Sequence, residues 1–245
     1  MYTFSIVIPA RNEAQNISGL LDGIKTAMAG MGRFEIIVVD DGSTDDTGAV
    51  LRRRMEADPD LRVLHHARSA GQSAAVDSGV RAARAGIVCT LDGDGQNPPE
   101  DLPRLAAPLL ADTSGRVGLV AGQRRERNDS WSRRLASRFA NGLRGWLLDD
   151  HTRDTGCGLK AFRRDAFLRL PYFNHMHRYL PALFARDGWQ VLHVDVGHRQ
   201  RGAGRSNYSN LQRGLVGIVD LFGVMWLIRR RKTAEPDPTA TGGES

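Results

Sequence analysis

The chain has 245 residues, 41% hydrophobic and 25% charged, with a formal net charge of +6. That length and apolar content suit one large α/β domain with or without a smaller appendage, and the positive balance admits nucleic acid, anionic lipid headgroups or phosphorylated substrates without choosing among them. Its two cysteines, Cys89 and Cys157, are far apart and lack metal or redox spacing, which argues for a reducing compartment and against a cysteine-based site.

The start, Met1 to Pro9, has no basic leader and only a short apolar run, so it reads as a first strand and not a signal peptide. Phe4–Ile8 is continuously apolar, the pattern of a strand covered on both faces. Pro9 ends it where Ala10-Arg11-Asn12-Glu13 turns toward a helix over about Asn16–Ala29. Gly30-Met31-Gly32 stops that helix and Phe34–Val39 forms the second strand, together predicting a right-handed βαβ unit. The strand runs into Asp40-Asp41-Gly42-Ser43-Thr44-Asp45-Asp46-Thr47. There Ser43 or Thr44 is expected to cap a helix, with Asp45 and Asp46 in its first turn, and Asp41 to accept bonds from a base or a ribose at the carboxyl edge of the sheet. No glycine-rich dinucleotide fingerprint follows the first strand, which argues against a nicotinamide enzyme.

Leu61–Leu64 supplies a third strand. His65 and His66 have no partner at metal spacing and read as surface or capping residues. The small residues of Gly71–Gly79 allow close backbone approach, either to a ligand or between helix and sheet. Gly86–Leu91 is the fourth strand, and it delivers Asp92-Gly93-Asp94-Gly95-Gln96, whose two carboxylates are close enough to converge on one hard cation. Taken alone, the same turn reads equally well as two solvated acids. A helix over Glu100–Leu110 and a strand over Val117–Ala121 continue the alternation, predicting a parallel sheet with helices on both faces.

From Arg124 the chain becomes basic, leading through Arg133 and Arg134 into a predicted helix through Ser137, Phe139, Leu143, Trp146 and Leu147. These arginines either hold phosphate by charge-assisted bonds or form a solvated basic face. Asp154–Phe162 is a tight turn followed by a strand, with Cys157 as a packing residue. His175 and His177, two apart, do not share a helix face, which argues against zinc. Val191–Val196 alternates as an edge strand, and the basic loop His198–Tyr208 after it is suited to ordering on an anionic ligand. Leu215–Ile228 is apolar, interrupted by Asp220 and followed by Arg229-Arg230-Arg231-Lys232. It is shorter than the roughly 20 residues of a spanning helix, so an interfacial helix touching anionic headgroups is expected, with packing onto the body or a subunit partner as the alternative.

In this order, several stretches resemble the inverting GT-A glycosyltransferases of family 2, and more narrowly the polyprenyl-phosphate and dolichol-phosphate sugar transferases. They are Pro9–Glu13, Val39–Asp45, Gly71–Gly79, Leu91–Gln96 with Pro98-Pro99-Glu100, Gly122-Gln123-Arg124, Ser137–Asn141, Asp154–Phe162 and Arg201–Tyr208. The resemblance implies an α/β GT-A fold, a Rossmann-like and mostly parallel sheet flanked by helices. It also implies a transferase domain over 1–210, a membrane-surface helix over 211–232 and a disordered tail over 233–245. Nucleotide-sugar binding is implied for Pro9, Ala10, Asn12, Glu13, Asp41, Gln72, Asp92, Gly93, Asp94, Arg201, Arg205 and Ser206. Asp92, Asp94 and Gln96 match the motif that gathers around Mg²⁺ or Mn²⁺, and Arg124, Arg133 and Ser137 the region that meets the acceptor's lipid phosphate. Asp92, Asp94, Arg124, Arg133 and Arg205 are thereby the implied catalytic set.

The implied reaction moves a sugar from a GDP- or UDP-linked donor to a polyprenyl (undecaprenyl or dolichyl) phosphate at the cytoplasmic face of the inner membrane. Self-association is left open and no nucleic-acid partner is expected. Two departures stand out: Asn207 replaces a lysine common in relatives, and a hydrophobic hairpin carried by some bacterial relatives is reduced to Leu215–Ile228. A transferase adding one sugar to a glycan or glycolipid hydroxyl is the alternative in the same class. A basic nucleic-acid-binding or scaffold protein is the alternative outside it.

Overall fold

Phe4–Ala10 (β1), Phe34–Asp40 (β2) and Leu61–His65 (β3) are linked by helices Ile17–Met28 (α1) and Thr47–Ala57 (α2) in a computed structural model, which describes residues 1–124, 148, 152, 154–199 and 210–232. Helix Gln72–Ala82 (α3) leads to Ile87–Thr90 (β4), and Leu102–Ala111 (α4) leads to Val117–Arg124 (β5). Lys160–Arg163 (β6), the short helix Arg164–Leu168 (α5), Leu180–Arg186 (α6), Gln190–Val196 (β7) and Asn210–Arg229 (α7) complete the described elements. The seven strands form one sheet in the order β3-β2-β1-β4-β6-β5-β7.

The continuous apolar runs of the first strands follow from this placement, because both faces are covered. Phe4, Ile6 and Ile8 face one core with Leu21 and Ile24 of α1 and Leu105 of α4. Val7, Ile37 and Val39 face the other with Val76 and Val80 of α3. A Cβ at Gly79 would collide with Val7, so the small residues of α3 serve close helix-to-sheet packing at that end.

The sheet is mostly parallel, as expected, but not wholly so. β6 runs antiparallel to both neighbours, β4 and β5. This strand arrives from a tight turn beside the ends of β4 and β5, so it enters between them in the reverse direction. The expected parallel alternation therefore ends at β5, and α5 was not anticipated from its five polar and apolar residues. The edge position of β7 agrees with its alternating pattern.

At the amino-terminal edge, the fully buried Glu35 accepts bonds from Ser5 Oγ at 2.7 Å, Arg62 Nη1 at 2.9 Å and the Arg84 amide at 2.7 Å. That network ties β1, β2, β3 and the approach to β4, leaving the opposite edge free for loops.

α7 packs by one face on the body. Val224 is buried in the second core, Tyr179 Oη donates to Gly217 O at 3.1 Å and Arg186 Nε to Leu227 O at 3.0 Å. Asp220, costly in an apolar run, lies 3.0 Å from His175 Nδ1. The other face exposes Ile218, Val219, Phe222 and Trp226 beside Arg229 and Arg230. No helix among the described residues is long and apolar enough to cross a membrane.

Candidate active site

β1 pairs with β2 on one side and β4 on the other, so the chain reverses its direction of growth across the sheet at β1. The carboxyl ends of strands at such a switch point form a natural crevice. Two loops meet there. Asn12, held at φ 57°, accepts from the Thr44 amide at 2.8 Å, while its own amide donates to Ser43 Oγ at 2.9 Å. The Glu13 amide donates to Thr47 Oγ1 at 2.8 Å, and Asn16 Nδ2 donates to Glu13 Oε2 at 2.7 Å. Ser43 and Thr44 thus tie the loops together instead of capping α2. The N-cap position is Asp46, which makes no capping bond, and Asp45 Oδ1, one residue before it, accepts from the Thr47 amide at 3.0 Å.

Asp41 is buried, and its two oxygens receive four groups. Oδ1 lies 2.7 Å from His66 Nδ1 and 2.8 Å from the Ala70 amide; Oδ2 lies 2.7 Å from Ser69 Oγ and 2.9 Å from the Gly71 amide. An ionised carboxylate only accepts, so His66 Nδ1 carries the proton of that bond. Burial pushes the Asp41 carboxyl up, but these bonds outweigh it and hold it below its usual value. With about four lone-pair sites filled, Asp41 shapes the loop from 66 to 71. Contact with a base or ribose would require one of these bonds to open.

The Asp41-held loop delivers α3, whose first residue Gln72 donates from Nε2 to Asp92 Oδ1 at 2.7 Å. From the other side, the buried Asn97 accepts from the Asp92 amide at 3.1 Å. Asp94 Oδ1 accepts from the Gln96 amide at 3.1 Å, closing the turn, and Gln96 O accepts from the Arg199 amide at 2.9 Å. Burial, then the Asp94 charge, push the Asp92 carboxyl up to about 6, against the pull of Lys160, Arg124 and the Gln72 bond. A side chain at Gly158 would collide with the Asp92 carboxylate, so glycine there keeps the acid's position open.

Asp92 lines a cavity of about 330 Å³ together with Pro9, Gln72, Arg124, Asp154, Lys160, His177 and Arg178. Arg124 grips Asp154 with both arms, Nε to Oδ2 at 2.5 Å and Nη2 to Oδ1 at 2.8 Å. Lys160 is buried, and its Nζ donates to Cys157 O. Burial holds its pKa below the usual lysine value, against the opposing pull of Cys157, Asp92 and Asp154. Ser73 Oγ lies 2.7 Å from His177 Nδ1, and burial, followed by Lys160 and Arg178, holds that imidazole neutral.

The structure therefore brings Pro9, Gln72, Asp92 and Arg124 to one cavity and sets Asp94, Gln96 and Gly93 on the same turn. Ala10, Asn12, Glu13 and Asp41 form the adjoining loops. Arg133, Ser137, Arg201, Arg205 and Ser206 lie outside the described residues. Sequence reasoning gave no role to Lys160, Asp154, His177 or Arg178, which line the cavity, and read His66, which holds Asp41, as a surface or capping residue. The available signal was a lysine set inside an otherwise apolar strand, Leu159-Lys160-Ala161-Phe162. Among the described residues no three His, Cys, Asp or Glu side chains gather at a metal site.

The model of the family described as glycosyl transferase family 2 matches residues 5–170. A dodecaprenyl-phosphate galacturonate synthase of Rhizobium johnstonii is 34% identical over 230 residues, covering 92% of this chain and 67% of that protein. An undecaprenyl-phosphate 4-deoxy-4-formamido-L-arabinose transferase of Edwardsiella ictaluri is 35% identical over 223 residues, covering 89% of this chain and 65% of that protein. The chain thus spans about two thirds of the length of these relatives. Among solved structures, a mannosyltransferase of Pyrobaculum calidifontis in complex with GDP-Man and Mn²⁺ superposes with a TM-score of 0.68 at 25% identity, covering 95% of this chain and 66% of that one. A glucosyl-3-phosphoglycerate synthase of Mycobacterium tuberculosis shares the fold, with a TM-score of 0.69 at 23% identity, 92% of this chain and 80% of that one covered.

Proposed function

This chain belongs to glycosyl transferase family 2, and we propose that it transfers a sugar, with inversion, from a GDP- or UDP-linked donor to a polyprenyl phosphate. The observation that carries the reading is the Asp92–Gln96 turn, in which Asp92 lines a cavity together with Arg124, Lys160 and Arg178 while Asp94 closes the same turn. The acceptor class is supported by the similar galacturonate and formamido-arabinose transferases, whose names specify dodecaprenyl and undecaprenyl phosphate.

The turn fits a divalent cation. Burial, and after it the charge of Asp94, raise the Asp92 carboxyl, and a cation held at this turn would favour its ionised form. Two carboxylates are few for a cage made of protein alone but usual where substrate phosphates complete the shell. Asp92, Asp94 and Gln96 would hold the ion, either Mg²⁺ or Mn²⁺, which when bound neutralises charge on a departing diphosphate. The remaining steps fall to the chain. Gln72 and Asn97 fix Asp92 from opposite sides, and the Asn12–Ser43–Thr44 stitch holds the two loops expected to receive the nucleoside. Arg201, Arg205 and Ser206 are proposed to close over the donor phosphates, and Arg133 and Ser137 to approach the acceptor.

A phosphate acceptor is already largely ionised at neutral pH, its second pKa being about 6, and needs little help from a base. The cavity agrees: its histidine, His177, is bonded to Ser73 and has no carboxylate partner among the described residues. We place the exposed face of α7 on the cytoplasmic surface of the inner membrane, where its basic end meets anionic headgroups. Self-association is the competing use of that face. The test offers a panel of labelled nucleotide sugars with polyprenyl phosphate or a free glycan as acceptor. An acid-labile lipid product supports the reading; transfer only onto the glycan hydroxyl overturns it.

A further inference from the structure

Asp220 is an acid in the apolar run of α7, and its carboxylate makes one bond, Oδ2 to His175 Nδ1 at 3.0 Å. Among the described residues no other polar side chain bonds to either partner. As an ionised carboxylate only accepts, His175 Nδ1 carries the hydrogen of that bond. The backbone of His175 is held at φ 66°, in the left-handed region, where Asn12 is the one other non-glycine among the described residues. Such a conformation persists only where its surroundings over-determine it. At His175 they do so from two directions: the side chain is tethered to α7, and the carbonyl accepts from the Arg178 amide at 3.1 Å, closing the turn Met176–Arg178.

That turn stands between α7 and α3. On its outer side, His175 before it and Tyr179 after it both reach one turn of α7, at Asp220 and at Gly217 O. On its inner side, His177 makes two bonds with Ser73 of α3: its amide donates to Ser73 Oγ at 3.3 Å, and its Nδ1 lies 2.7 Å from the same oxygen. Ser73 is only 1% exposed, so the turn and α3 are joined inside the protein. The residue before it, Gln72, is the one that donates to Asp92 Oδ1 at 2.7 Å. A continuous path thus runs from Asp220 through His175, the turn, Ser73 and Gln72 to Asp92, each step a bond or a chain neighbour. Without its tether, His175 loses what holds its left-handed backbone, and the seat of Ser73 and Gln72 shifts with the turn.

We infer that Asp220 and His175 are positioning residues for Asp92: they fasten the turn Met176–Arg178 to α7 in the backbone conformation from which Ser73 and Gln72 hold the acid in place. This rests on the proposed reaction for what Asp92 does when a donor is bound, but the path from α7 to Asp92 does not depend on it. The helix proposed to lie on the membrane is then also the outer brace of the donor side.

Two measurements on the full chain test the inference. The first is amide hydrogen exchange: in Asp220→Ala the peptides over 72–76 and 175–180 should exchange at least about tenfold faster, while those over β1 and β2 keep wild-type rates. The second is calorimetric titration with GDP and with UDP, each with and without Mn²⁺. Asp220→Ala and His175→Gly should each weaken the Mn²⁺-dependent binding at least about threefold and leave metal-free binding within about twofold, whereas Gln72→Ala, which removes a direct partner of Asp92, should cost about 10–100-fold. Glycine adopts the left-handed backbone freely, so the loss in His175→Gly reports the tether and not strain. Asp220→Asn keeps an accepting oxygen and should recover most of the binding, and the double variant Asp220→Ala with His175→Gly should be no weaker than either single one. Wild-type exchange over 72–76 in Asp220→Ala, or metal-free and Mn²⁺-dependent binding falling together without rescue by Asp220→Asn, would overturn the assignment. Faster exchange that reaches 72–76 in a protein that binds neither nucleotide would uphold the path and overturn the proposed reaction.

Discussion

Asp92 shows how much one acid depends on neighbours that carry no charge. Gln72 and Asn97 fix it, and the absence of a side chain at Gly158 leaves it room. Gly158→Ala should therefore displace the carboxylate without disturbing the core. Displacement of a reacting group by about 1 Å costs about 100-fold in rate; a loss of that order in kcat with an unchanged melting temperature is expected, and wild-type kcat would refute the steric argument. Asp41 makes the complementary case, an acid that organises a loop. Its replacement by asparagine removes a charged acceptor from four donors, at a cost of roughly 1–3 kcal/mol. The sign of the pH dependence follows from its lowered carboxyl. A depressed folded pKa stabilises the protein above the unfolded value near 3.8 and loses that contribution as pH falls through the folded value. Asp41→Asn should therefore lose less melting temperature than the wild type between about pH 6 and about pH 3. Thermal scans across that range decide it.

α7 is the element whose two faces make different demands. Val224, Tyr179 and Arg186 hold its inner face to the body, whereas Val219 is 72% and Trp226 58% exposed on the outer face. A bulky apolar side chain is worth about 1.5–3 kcal/mol when removed from water. Phe222→Glu with Trp226→Glu should thus weaken binding to anionic vesicles by well over about tenfold while leaving the melting temperature unchanged, as read by co-sedimentation. Equal sedimentation would assign the face to something other than a bilayer. The helix also shows why elements were unevenly legible. Apolar runs such as Phe4–Ile8 and Phe34–Val39 announce buried strands because their apolar residues answer to one of two cores, while Ser5 and Glu35 within them bond to each other. In α7 the run of apolar residues did not reveal which half was buried, since Asp220 finds its partner in His175, 45 positions away. The reversed strand β6 was hidden for a similar reason: strand direction is set by neighbours across the sheet and leaves no mark in Lys160–Arg163.

Across the whole molecule, the proposed site lies where the order of strands reverses at β1 and β4. The turn that carries Asp92 and Asp94 is a short local motif and was legible in the sequence, whereas Asn12 meets Ser43 and Thr44 across 31 and 32 residues, and these two read in sequence as helix caps. Other parts assembled from distant segments were not legible either: Lys160 and Arg178 reach the cavity from β6 and from the turn before α6, and only the folded sheet makes them neighbours of Asp92. The positive balance of the chain gains a local meaning from this, with cations on the cavity wall and at the end of α7. The central claim is that the Asp92–Asp94 turn drives metal-dependent sugar transfer to a lipid phosphate. The direct measurement incubates wild type and Asp94→Ala with labelled nucleotide sugar and polyprenyl phosphate, with and without Mn²⁺, and counts label in the lipid extract. Lipid label that requires the cation in the wild type, and that is lost in an Asp94→Ala protein of unchanged melting temperature, is the predicted result; equal labelling by both proteins, or labelling indifferent to the cation, would contradict it.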